Sequence, residues 1–194
     1  MTMLDKAKTL VGKVMRPIHA GEKKLLSHRS EIIPDKSAGS GLQQIDIHSD
    51  AFGDGSRIPV RYSAEGANIS PPLRWSNVPS TARELVLVME DPDAPMMQPF
   101  VHWIVSGMKP EMRELPEGST GLKVAAEGLN GRSEEGYVGP IPPPGHGPHR
   151  YHFELFALDQ RLSLAEPADR ESLMKAMAGH VVAYGDLVGT YERK

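Results

Sequence analysis

Residues 84–95 read ELVLVMEDPDAP, an unbroken apolar run with charged ends that runs into an acidic, proline-rich corner. A run of this length and composition fits a central strand covered on both faces. The two prolines restrict the residues before them and so stiffen the corner. In an extended chain Asp91 and Asp93 would point the same way. The competing assignment is a turn in which both carboxylates bond to nearby backbone amides. Downstream, FVHWIVSGM (100–108) reads as a second strand, with His102 embedded among apolar neighbours. A buried imidazole needs partners for its nitrogens, so a satisfied core histidine is the plain reading. The short PDAPMMQPF connection, however, can bring His102 back to Asp91 across a hairpin.

The other stretch that carries chemistry is GPIPPPGHGPHRYHFEL (139–155), where a stiff loop turns into a strand. Period-two geometry puts His149, Tyr151, Phe153 and Leu155 on one face and Arg150, His152, Glu154 and Phe156 on the other. His149 and Tyr151 therefore project together at the mouth of a face that becomes core. The prolines lower the entropy lost on ordering the loop, so a pocket rim built from them is pre-formed. His146, in the glycine-rich bend, is expected to be exposed.

Around these stretches the pattern is mostly β. QIDIHSDAF (44–52) and RIPVRY (57–62) alternate apolar and polar residues and read as half-buried strands flanking a GDGS turn. DRESLMKAMAGHVVAY (169–184) reads as one amphipathic helix with Asp169 as its N-cap and Glu171 in its first turn. GDLVGTYERK then closes the chain as a strand. Many strands before a late helix favour an antiparallel sheet packing over a βαβ fold.

The amino-terminal region differs from this body. Residues 1–30 hold seven Lys/Arg against Asp5 and Glu22, which is +5 and leaves −8 for the rest of a chain with formal net charge −3. Apolar residues at three- and four-residue steps predict an amphipathic helix over 3–16, with a membrane surface, a partner or the protein's own body as its dock. Residues 28–41 read as a linker, so residues 1–40 form an arm and 41–194 the folded domain. The chain has no cysteine, which excludes disulfides, thiolate nucleophiles and cysteine-ligated zinc. No signal-peptide run or membrane span is visible, so a cytoplasmic location is expected. No dense basic patch marks the body, and nucleic acid is not an expected partner.

DPDAP, the following HW and GPIPPPGHGPHRYHF, with DGSRIPVRYSAEGANISPPLRW upstream and GHVVAYGDLVGTYER at the end, resemble the phosphatidylethanolamine-binding protein family, also called the Raf kinase inhibitor protein family, in its bacterial form. The resemblance covers about Leu42 to Arg193. It implies a large antiparallel sheet packed on a smaller one, with a C-terminal helix near the pocket. It also implies an anion pocket at Asp91, Asp93, Pro95, His102, His149 and Tyr151, completed by backbone amides near Gly139 and Ile141. Ile141 stands where some members have glycine, which would narrow the rim, and Met96 and Met97 would line the mouth.

Imidazole and phenol donors suit a phosphate-type oxygen. Asp91 would then orient or charge an imidazole, and binding would strengthen below about pH 6.5. The expectation is a binding protein for a phospholipid headgroup, a nucleotide phosphate or a phosphopeptide, with no cofactor. A homodimer, and regulation of a kinase or another protein, follow by family analogy alone. The rival reading is an enzyme, either a hydrolase or a metal-dependent one using His102, His149 and Asp91. No nucleophile elbow, HExxH helix or P-loop accompanies those residues.

Overall fold

Apolar runs and alternating segments pair here into two sheets that share one core. The computed structural model describes residues 24–33, 42–121 and 125–194. The strands, in chain order, are β1 (Gln43–Gln44), β2 (Asp46–His48), β3 (Leu73–Ser76), β4 (Glu84–Asp91), β5 (Phe100–Met108), β6 (Glu114–Leu115), β7 (Ala126–Glu127), β8 (His149–Leu158) and β9 (Val181–Tyr191); the helix is α1 (Arg170–Met177). The larger sheet runs β1-β9-β8-β4-β5-β7 and the smaller β2-β3-β6. Every ladder is antiparallel except at one edge, where β1 pairs parallel to β9, so the large sheet is mixed.

β4 sits where its apolar run places it. All of its residues are buried. Leu85, Leu87 and Met89 join the core shared with Ile47, Leu73, Trp75 and Leu115 of the small sheet. Val86 and Val88 face the other way, into a second core with Leu173 and Met177 of α1. β8 divides likewise: Tyr151, Phe153 and Leu155 face the small sheet, and Phe156 and Leu158 face the helix. Three layers result, with both faces of the central strands dry.

Several expected elements change. Residues 57–62 do not form a strand; Arg57 makes one isolated parallel bridge to Thr190, and Val60–Tyr62 is a 3-10 turn. Pro59 has no N–H for a ladder. The helix expected over 169–184 stops at Met177, because Gly179 takes φ +78° and the β-branched pair after His180 starts β9. Its N-cap stands, with Asp169 accepting from the Ser172 amide at 2.8 Å. The expected closing strand accordingly begins earlier, at Val181.

Residues 24–33, assigned by sequence to the arm and linker, form a strap over the second core. Leu26, Ile32 and Ile33 are buried in it. The Leu26 amide donates to Glu90 Oε2 at 3.0 Å and the Ser27 amide to Glu154 Oε1 at 3.2 Å. Arg170 of α1 pairs with Glu90 and also donates to the Lys24 carbonyl at 3.1 Å. The apolar run of the strap is short, which hides it among the polar residues beside it. The helix expected over 3–16 and residues 34–41 lie outside the described residues. Among the described residues no helix is long and apolar enough to cross a membrane.

Candidate functional site

The end of β4, the start of β8, the first part of β5 and the proline loop meet on the small-sheet side of the large sheet. Asp91 closes β4 and is buried. Its Oδ1 accepts from the amides of Asp93 at 2.8 Å and Ala94 at 3.0 Å, the local turn that the proline-rich corner allows. Its Oδ2 faces His149 Nδ1 at 2.7 Å. A carboxylate can only accept there, so Nδ1 carries the hydrogen and Asp91 fixes the ring's orientation.

Asp93 goes elsewhere. Its carboxylate accepts from the Arg150 amide at 2.9 Å and from the guanidinium at 2.8 and 2.7 Å. Partial burial pushes the Asp93 carboxyl up, but the Arg150 hydrogen bonds outweigh it and hold it below the usual range. Asp91 and Asp93 thus separate, one inward and one to a surface ion pair. The prolines of the corner, Pro92 and half-buried Pro95, follow trans peptide bonds.

His146, expected to be exposed, is buried, and its Nδ1 lies 2.5 Å from His149 Nε2. Gly145 and Gly147 on either side take φ +72° and +95°, values open to glycine, and fold the histidine inward. A carboxylate, His149 and His146 therefore form a continuous chain. Sequence reasoning missed His146, although its signal was present in the flanking glycines.

His102 anchors the middle of the site. Its Nδ1 lies 2.7 Å from the Val138 carbonyl, while its own carbonyl accepts from the Val138 amide at 2.9 Å. A carbonyl only accepts, so Nδ1 is the N–H and, in the neutral ring, Nε2 is an acceptor. Burial pushes the ring's pKa down to about 4, against the pull of Asp91 and Val138. In the neutral ring His102 therefore turns an acceptor, not a donor, toward the site. Beside it, edge-on at 5.1 Å between ring centroids, stands Tyr151. Tyr151 is completely buried and its hydroxyl has no partner among the described residues. Burial, with Asp91 next, raises its pKa, so the hydroxyl keeps its hydrogen.

The expected backbone donors are only partly in place. The Gly139 amide is already occupied by Asn68 Oδ1 at 2.8 Å. Gly139 is required for a different reason, since a Cβ there would lie 2.3 Å from the Tyr62 carbonyl oxygen. Ile141 is exposed, as are Met96 and Met97 just beyond the acidic corner. Among the described residues no three His, Asp or Glu side chains gather so as to hold a metal ion.

The sequence profile of the phosphatidylethanolamine-binding protein family matches residues 48–192. The chain belongs to that family. This phosphatidylethanolamine-binding protein relative is 41% identical over 162 residues to a UPF0098 protein of Pyrococcus abyssi, covering 80% of this chain and 89% of that one. Among solved structures, a phosphatidylethanolamine-binding protein homologue from Chlamydia trachomatis superposes with a TM-score of 0.73 at 42% identity, covering 78% and 99% of the two chains. Escherichia coli YbcL, described as a member of the mammalian family, gives 0.72 at 25% identity, covering 77% and 99%. The family's two-sheet fold and the one found here agree.

Proposed function

We propose that this protein is a small binding protein whose site at Asp91, His102, His149 and Tyr151 captures a phosphate-type oxyanion. The observation that carries this reading is the Tyr151 hydroxyl, which is fully buried without a partner beside a ring whose second nitrogen is uncommitted. An unmatched buried hydroxyl is costly unless something completes it. An oxyanion does so, and the Asp91–His149–His146 chain supplies an adjustable hydrogen next to it. Family membership supports a binding protein. Headgroups, nucleotide phosphates and phosphopeptides all present the oxygen this site would take, and regulation of a kinase would follow only if one of them belongs to a protein partner.

Isothermal titration with inorganic phosphate tests the proposal. Tyr151→Phe should weaken binding by tenfold or more, about 1.4 kcal/mol, while leaving the unfolding midpoint unchanged. Equal binding by the variant would remove the site from consideration. The hydrolase reading would use Asp91 and His149 as orienter and base. Turnover of p-nitrophenyl phosphate by the wild type that disappears in His149→Ala would favour it over simple capture.

A further inference from the structure

We propose that the site selects an oxyanion that brings its own hydrogen, such as hydrogen phosphate or the monoanion of a phosphate monoester, over sulfate and over phosphodiesters. This rests on the anion reading above and on the hydrogen inventory of two neighbouring rings. His102 Nδ1 is committed to the Val138 carbonyl at 2.7 Å. That carbonyl cannot easily turn away, because the Val138 amide donates to the His102 carbonyl and the next amide, Gly139, is held by Asn68. His102 Nε2 has no protein partner among the described residues, and in the neutral ring it is a bare lone pair.

Tyr151 offers the opposite polarity. Its hydroxyl, without a partner, donates to one oxygen of the ligand. A ligand that fills both positions therefore needs one oxygen that accepts and one that donates. Hydrogen phosphate has both, and a monoester has both in its monoanion, the form that prevails below its second pKa of about 6. Sulfate and phosphodiesters at neutral pH have acceptors only, and each would set an oxygen against the His102 lone pair.

Sulfate can enter only if His102 takes up a second proton. Burial opposes that, and the groups around the ring do not reverse it. Those groups are Asp91 at the end of β4, His149 and Tyr151 on β8, and Arg132 in the loop after β7. Asp91 favours the charged ring, whereas His149 and Arg132 oppose it. Asp91 is in addition already engaged by His149 and two amides.

The test is titration calorimetry of the full chain with inorganic phosphate, methyl phosphate, dimethyl phosphate and sulfate, at pH 7 and pH 5 and at constant ionic strength. At pH 7 inorganic phosphate should bind about 100-fold or more tighter than sulfate and dimethyl phosphate, since a polar site rejects ligands that leave its groups unmatched. Methyl phosphate, about a tenth monoanion there, should bind about tenfold more weakly than inorganic phosphate and recover most of that difference at pH 5. Lowering the pH should strengthen sulfate binding by about tenfold per unit through proton uptake, while phosphate changes by no more than about threefold. Inorganic phosphate against methyl phosphate separates a free anion from a monoester, and dimethyl phosphate stands for the diester of a phospholipid headgroup. In His102→Gln the side-chain amide presents either an oxygen or an N–H, and the preference should shrink to within about threefold. Equal affinity for phosphate and sulfate at pH 7, or full preference retained by His102→Gln, overturns the selection while leaving anion capture intact. Absence of binding by all four ligands at both pH values overturns anion capture and the selection together.

Discussion

β8 passes between two buried polar clusters, one on each of its faces. Toward the small sheet lie His149 and Tyr151 with Asp91, His102 and His146; toward the strap lie His152 and Glu154 with Glu90, Asp186, Tyr184 and Arg170. Both contain a carboxylate that is almost wholly buried, although His152, Asp186, Tyr184 and Arg170 on the strap side are only half-buried. They differ in where the hydrogens come from. On the strap side Glu90 is answered by Arg170 and the Leu26 amide. Burial, then the nearby Glu90 charge, raises the Glu154 carboxyl well above its usual value. Loose ends remain there at Ser27 Oγ, His152 Nε2, Glu154 Oε2 and Asp186 Oδ1, while the Glu90 charge is matched by Arg170. On the imidazole side the N–H groups of His102 and His149 are committed inward, and the wholly buried Tyr151 hydroxyl stands without a partner beside the His102 ring. Orphaned polar atoms occur in both clusters and do not by themselves mark a site; what singles out the imidazole side is a buried hydroxyl on a ring packed edge-on against a histidine.

The comparison can be broken most severely at Arg170. Arg170→Ala leaves Glu90 buried without its cation and should cost about 3–5 kcal/mol in chemical denaturation, with faster hydrogen exchange at the Leu26 and Ser27 amides. A loss below 1 kcal/mol would mean that the strap cluster is not held by charge. Next is His102. Its folded pKa of about 4 lies below the unfolded value near 6.5, so the unfolded chain takes up the proton first as pH falls. That removes about 3 kcal/mol of stability between pH 6.5 and 4, which His102→Gln should abolish in pH-dependent unfolding curves. Glu154 titrates in the opposite sense. Its raised folded pKa makes stability fall as pH climbs above the ordinary carboxylate range, so Glu154→Gln should gain roughly 2–4 °C in Tm at pH 8, for about 1 kcal/mol, and little at pH 4. The smallest effect belongs to Tyr151→Phe. Its hydroxyl satisfies nothing in the protein, so the unfolding free energy should move by less than about 0.5 kcal/mol even as phosphate affinity falls.

The sheet was readable from sequence where period decides the outcome. The β4 run and the β8 alternation each assign their faces without ambiguity, since both faces of β4 are apolar and only one face of β8 begins with His149 and Tyr151. Residues 57–62 alternate just as well, yet Ile58 and Tyr62 are buried while Val60 is 55% exposed, because the 3-10 turn at Val60–Tyr62, with three residues per turn, breaks the two-residue period. The helix was overextended across Gly179, whose backbone conformation only the structure reveals. At the site, residue identities pointed to the convergence of Asp91, His102, His149 and Tyr151, but not to the direction of each hydrogen. That depends on Val138 and Asn68, which meet their partners from 36 and 71 residues away in the chain and have no local signature.

A strand used on both sides has no freedom to slide. Shifting β8 by a single position against β4 and β9 would turn Tyr151 toward the helix and bring Glu154 under the small sheet, emptying one cluster and inserting a carboxyl into an aromatic core. Insertions and deletions in this part of the chain must therefore be absorbed before His149, in the proline segment, whose length can vary without changing which side of the sheet any later residue meets.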